Sequence, residues 1–107
     1  MNILFVCSKN EWRSRTAETI FKHLPSHEVR SAGTSKTARI RVNRKHIEWA
    51  ELIFVMEDKH KKRLKDFSPD LIPHKDLEVL HIPDEYQYMD EDLIQHLEDV
   101  MRFYFDF

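Results

Sequence analysis

Apolar residues recur along this chain in two ways, as short continuous runs and as stripes at helical spacing. Ile3-Leu4-Phe5-Val6 is the first run, and residues 2–6 read as a buried strand. Beyond a polar stretch, Ala17, Ile20, Phe21 and Leu24 fall at i, i+3, i+4 and i+7, an amphipathic helix that Pro25 and Ser26 end. Glu28 to Ala32 read as a second strand, closed by Gly33, and residues 35–39 as loop. A less regular pattern over 40–50 predicts a helix with Val42, His46, Trp49 and Ala50 on one side. Leu52-Ile53-Phe54-Val55-Met56 is the clearest buried strand. Asp58 is then placed to cap a basic helix that runs to Phe67, with His60, Leu64 and Phe67 turned inward, before Ser68-Pro69 breaks it. Leu77 to Ile82 read as a fourth strand and Pro83 to Tyr88 as a loop. From Asp90 a last helix carries Leu93, Ile94, Leu97, Val100, Met101 and Tyr104 on one face.

Strands that alternate with helices predict a parallel sheet with right-handed crossovers, hence a three-layer α/β sandwich. Ligands of such sheets bind beyond the C-terminal strand ends. The loop at Cys7, the segment after Met56 and the loop at Asp84 are therefore expected on one edge, which brings an acid near the cysteine.

Composition narrows the class. A length of 107 residues suits one domain spanning 1–107, and 41% hydrophobic residues suffice for one core. Charged residues make up 34% and leave no long apolar segment, so no membrane span is expected. The first residues run straight into a strand without a basic leader or cleavage site, so no signal peptide is expected. A single cysteine excludes an internal disulfide and a cysteine-rich zinc site, and fits a reducing cytoplasm. The net charge of −2 argues against a nucleic-acid partner. Positive residues do cluster at Arg39 to Lys45 and Lys59 to Lys65; these clusters read either as solvated helix faces or as a field that attracts an anion. The seven histidines show no metal-ligand spacing with matching carboxylates. The one glycine, in Ser31-Ala32-Gly33-Thr34, is expected to answer a backbone need such as positive φ.

The candidate chemistry lies in Val6-Cys7-Ser8-Lys9-Asn10-Glu11-Trp12-Arg13-Ser14, a strand-to-helix turn. Backbone amides converge in such a turn, and the following helix offers partial positive charge. A cysteine there is favoured as a thiolate nucleophile. Arg13 can grip two phosphate oxygens through its planar fork. Ser14 can donate to the thiolate or cap the helix. The alternative is a buried strand-end cysteine beside a solvated arginine.

These residues resemble those of low-molecular-weight protein tyrosine phosphatases. Val6-Cys7 through Ser14, Ser31 to Thr34, Glu51 to Met56 and a late acidic loop occur in the family's order. The likeness thins between Lys36 and Trp49, where the family has a longer segment, so the chain resembles a shortened member. It implies a four-stranded parallel sheet between helices, flavodoxin-like in class. It implies hydrolysis of phosphotyrosine or aryl phosphate through a phosphocysteine on Cys7, with Arg13 holding the equatorial oxygens and Asp84 as general acid. Ser8, Lys9, Asn10, Glu11, Trp12, Arg13 and Ser14 would surround the phosphate, Ser14 stabilising the thiolate and Asn10 bracing the loop. No metal or other cofactor is implied; the partner would be a phosphorylated protein or small aryl phosphate, met by a monomer in the cytoplasm.

Several positions depart from the family pattern. Lys9 stands at a usual glycine, which costs roughly 1–2 kcal/mol if φ is positive there. Trp12 stands at a frequent second cysteine, and Arg15 at a proline. The late motif reads Pro83-Asp84-Glu85-Tyr86 with its proline displaced, so Glu85 or Asp90 are alternatives for the acid. Trp12, Tyr86 and Tyr88 either line a slot for an aryl group or cover the core. An inactive phosphate-docking module and an arsenate reductase are the competing functions, with a small basic adaptor behind them. The single cysteine argues against an intramolecular disulfide relay.

Overall fold

In the computed structural model, which describes residues 1–105, four parallel strands form one sheet. The strands are β1 (Asn2–Cys7), β2 (Glu28–Gly33), β3 (Leu52–Val55) and β4 (Asp76–Val79). The helices are α1 (Arg13–Phe21), α2 (Arg44–Trp49), α3 (Asp58–Phe67) and α4 (Glu91–Met101), with a short 3-10 turn at Ile72–His74. The spatial order β2-β1-β3-β4 means that the chain winds one way from β1 to β2 and the other way from β1 to β3. The strand order therefore reverses at the C-terminal end of β1, where Cys7 sits. A crevice opens at such a point because the two crossovers diverge.

Alternation along β1 divides the core. Ile3, Phe5 and Cys7 face one way, into a layer with Ala17 and Phe21 of α1 and Leu93, Leu97 and Met101 of α4. Leu4 and Val6 face the other, against Ile47 of α2 and Leu64 of α3. Phe5 is stacked between Phe21 and Phe54, with centroids 5.8 and 5.4 Å apart. Among the described residues, no helix is long and apolar enough to cross a membrane.

Several local expectations change, among them the strand expected over Leu77 to Ile82, which spans Asp76–Val79. The first helix ends at Phe21, so Leu24 packs on the core from the turn beyond it. The helix expected over 40–50 is shorter, because Arg41 bridges to Gly33 and Val42 is buried beside that bridge. On α3, the N-cap is Glu57 rather than Asp58, and Phe67 is 48% exposed while His60 and Leu64 are buried. Phe67 is the last helical residue.

Gly33 is required by space and not by φ. No glycine has positive φ; instead, a Cβ on Gly33 would lie 2.5 Å from the Ser8 carbonyl oxygen and 2.6 Å from the Ala38 Cβ. Both obstacles are fixed to backbone, so the loop after β1 would have to move. Gly33→Ala is expected to lower stability by roughly 1–3 kcal/mol, the usual cost of overpacking. Thermal unfolding checks this: each kcal/mol corresponds to about 4–8 °C in a domain of this size.

Candidate active site

The turn after β1 wraps its carbonyls outward. Those of Cys7, Ser8 and Lys9 accept hydrogen bonds from the amides of Thr34, Ser35 and Arg39, each at 2.9 Å, and that of Asn10 accepts from Arg39 Nε at 3.0 Å. With the carbonyl dipoles pinned away, the amide ends turn toward the sulfur: the Asn10 N–H lies 3.3 Å from Cys7 Sγ. Among the described residues, the amides of Lys9, Glu11 and Trp12 have no acceptor. Trp12 takes the N-cap position of α1 without a side-chain cap, so the first amides of that helix also remain open. A concentration of unpaired donors above a cysteine suits an anion.

The left-handed residue of the turn is Asn10, with φ 57°, and not Lys9. The strain expected at Lys9 is therefore absent, and asparagine tolerates this conformation better than most residues. Lys9 instead reaches Thr37, its Nζ donating to Oγ1. Asn10 is fully buried, and its amide nitrogen donates to Ser14 Oγ at 2.7 Å and to Ser31 Oγ at 2.8 Å. Ser31 in turn donates to the Glu18 carboxylate. Ser14 Oγ lies 2.9 Å from Cys7 Sγ. Ser14 Oγ accepts from Asn10 and has the sulfur and, at 3.5 Å, the Ala32 carbonyl within reach, so of its two expected roles the structure favours the one at Cys7 over helix capping.

Arg13 is 2% exposed, and other elements orient it. Its Nη1 donates to Glu57 Oε2 at 2.5 Å and to the Ile82 carbonyl at 2.8 Å. Nε and Nη2 are left for a ligand, with Asp84 Oδ1 3.7 Å from Nε. Partial burial pushes the Glu57 carboxyl up, but the hydrogen bond and charge of Arg13, with Lys59 and His60, outweigh it and hold the group below the ordinary carboxylate range. The Glu57 carboxylate is thus favoured in its charged form opposite the guanidinium.

His60 is buried beneath the turn. Its Nδ1 accepts from the Glu57 amide at 3.0 Å, so the neutral ring carries its proton on Nε2 and donates to Ser8 Oγ at 2.9 Å. Burial first, then the charge of Arg13, lowers its pKa from 6.5 to about 4. In the unfolded chain the imidazole binds its proton near 6.5, so unfolding takes up a proton between those values. The stabilisation is complete above pH 6.5 and is lost as pH falls toward 4, by about 3 kcal/mol at most. Urea unfolding between pH 7 and 4 should show this fall, and His60→Gln should flatten it.

A cleft of about 230 Å³ opens over the turn, lined by Cys7, Ser8, Lys9, Glu11, Trp12, Arg13 and Asp84. Of the candidate acids, Asp84 lines this cleft, with its side chain 53% exposed. Asp90 caps α4, accepting from the amides of Asp92 and Leu93, and Glu85 is exposed outside the lining. Of the aromatic candidates, Trp12 lines the cleft. Tyr86 packs on the core below α4, and Tyr88 lies along α1, its hydroxyl 2.8 Å from Thr19 Oγ1 and its ring under Arg15. Those contacts hold Tyr88 along α1, and Tyr86 is not among the residues that line the cleft.

Glu57, His60 and Ser31 were not candidates from the sequence. The available signal for Glu57 was its position two residues after β3, on the edge where the topology gathers the site. The sequence model for "Low molecular weight phosphotyrosine protein phosphatase" matches residues 2–53. Curated protein sequences give no significant match. Solved structures do. The tyrosine phosphatase Wzb from Escherichia coli K30, in complex with phosphate, superposes with a TM-score of 0.78 at 23% identity, covering 96% of this chain and 94% of its own. SP-PTP, a low molecular weight protein tyrosine phosphatase from Streptococcus pyogenes, gives 0.77 at 17% identity, covering 98% and 93%. The YwlE arginine phosphatase from Geobacillus stearothermophilus gives 0.72 at 22%, covering 94% and 86%. At these identities the likeness establishes a common fold.

Proposed function

We propose, from its membership of the low-molecular-weight protein tyrosine phosphatase family, that this chain hydrolyses phosphate monoesters of phenols, phosphotyrosine included, through a phosphocysteine on Cys7. The observation that carries the reading is Cys7 Sγ at the floor of a cleft, 2.9 Å from Ser14 Oγ and 3.3 Å from the Asn10 amide, with open loop amides and Arg13 around it. Those groups would bind the phosphate dianion and direct the thiolate at phosphorus.

In the first step the sulfur attacks phosphorus in line, and the bond from phosphorus to the phenolic oxygen breaks. The leaving oxygen takes the bond's electron pair and a proton from Asp84. Charge on the three equatorial oxygens is held by the loop amides and by Nε and Nη2 of Arg13. Arg13 cannot swing out, because Glu57 and the Ile82 carbonyl hold Nη1. In the second step water gives a proton to the Asp84 carboxylate and its oxygen attacks phosphorus. The sulfur–phosphorus bond breaks, the thiolate returns and phosphate leaves. Trp12 at the rim offers an apolar surface for an aryl group. The substrate would be a phosphorylated protein or a small aryl phosphate, met in the cytoplasm.

Turnover of p-nitrophenyl phosphate between pH 5 and 8 tests the reading, with rapid-quench trapping of phosphoprotein. Turnover with acid-labile phosphate on Cys7 is the expected result. Phosphate or vanadate binding without turnover would leave a phosphate-docking module in its place.

A further inference from the structure

A second cavity, of about 190 Å³, lies on the other side of Ser8 and Lys9 from the cleft. Thr34 and Ser35 form one wall, and Lys59 and Arg63 of α3 the other. Three cations and three hydroxyl side chains line it, and no carboxylate does. Arg63 is exposed and has no ion-pair partner among the described residues, whereas Lys59 lies 3.7 Å from Glu57. Ser8 Oγ accepts from His60, so its own proton is free, and Ser8 borders both cavities. A recess that gathers positive charge, with Arg63 unpaired and no carboxylate in its lining, attracts an anion.

We infer that this recess is a second anion subsite, which takes a phosphate or carboxylate group carried by the same substrate whose phosphoryl group occupies the cleft over Cys7. Ser8 and Lys9 form the shared wall, so a ligand can run over them from one cavity to the other. The substrate class is then an acidic phosphopeptide, one with a glutamate or second phosphate beside the phosphorylated residue. The inference rests on the phosphatase reading for the identity of the first site, but not on turnover.

The test measures binding. Two peptides with a non-hydrolysable phosphotyrosine analogue, flanked by glutamates or by alanines, are titrated by calorimetry into wild-type protein and Arg63→Gln. The glutamate peptide is expected to bind wild type about tenfold more tightly, as one charge-assisted contact allows. Arg63→Gln is expected to remove that advantage and leave the alanine peptide's affinity unchanged. Equal affinities in wild type, an advantage that survives Arg63→Gln, or no binding of either peptide would overturn the inference. Inorganic phosphate added as competitor separates the sources. Phosphate lowers both affinities through the cleft over Cys7; a ratio between the peptides that falls as well means that the recess also takes the free ion, and an unchanged ratio means that it takes the group only on a peptide. A protein without turnover that keeps the Arg63-dependent preference retains the subsite and loses only the chemistry.

Discussion

Cys7→Ser is expected to lower p-nitrophenyl phosphate turnover by about 10⁴-fold or more, while phosphate affinity stays within a few-fold of wild type. The two readouts separate because different groups serve them. Turnover needs a thiolate at the floor of the cleft, and a serine hydroxyl at that position is neither ionised nor as nucleophilic. Under the proposed function, binding would draw on the amides of Lys9, Glu11 and Trp12 and on Arg13, none of which depends on the sulfur. Serine is also the gentler replacement, since Ser14 Oγ and the Asn10 amide can hydrogen-bond to its oxygen as they do to Cys7 Sγ. Initial rates with calorimetric titration of phosphate check both halves. Turnover that survives Cys7→Ser would remove the phosphocysteine route.

Asp84→Asn is the second large effect, about 10² to 10⁴-fold on substrates with a basic leaving group such as phosphotyrosine. An amide cannot give up a proton to the departing oxygen. p-Nitrophenolate leaves with less need of that proton, so the loss should be smaller with p-nitrophenyl phosphate, and the ratio between the two substrates is the diagnostic quantity. The 3.7 Å from Asp84 Oδ1 to Arg13 Nε is too long for a hydrogen bond, so an arriving phosphate oxygen can take its place at the guanidinium. Equal losses on both substrates would mean that Asp84 positions Arg13 and that the proton comes from elsewhere. No loss on either would turn attention to Glu85, which the family pattern leaves as the neighbour.

Much of this molecule could be read without coordinates. The continuous runs at Ile3 to Val6 and Leu52 to Met56 are strands because both of their faces are buried, β1 at the centre of the sheet and β3 beside it. The turn from Cys7 to Ser14 was legible because its chemistry is local: nucleophile, amides and arginine lie within eight residues of chain. Even the common edge for Cys7, the segment after Met56 and the loop at Asp84 followed from strands all pointing one way.

What stayed hidden depended on distance in sequence. Glu57 reads as one more acid in a charged stretch until β3 sets its carboxylate against Arg13, 44 residues away. His60 looks like any of seven histidines until burial under Ser8 fixes its tautomer and lowers its pKa. The reason for Gly33 was misread as torsional, because only the packed turn brings the Ser8 carbonyl to where a Cβ would stand. Tyr88 stayed open between an aryl slot and core cover, because only the fold brings its hydroxyl to Thr19 on α1. Periodicity and local spacing by themselves determined the α/β architecture and placed Cys7 on a strand-to-helix turn, since burial repeats with the backbone's own period and a turn assembles its own donors. Only the tertiary structure decided which distant charge orients Arg13, which ring supports Ser8 and where the second recess opens, because those contacts arise when separate elements converge on one sheet edge.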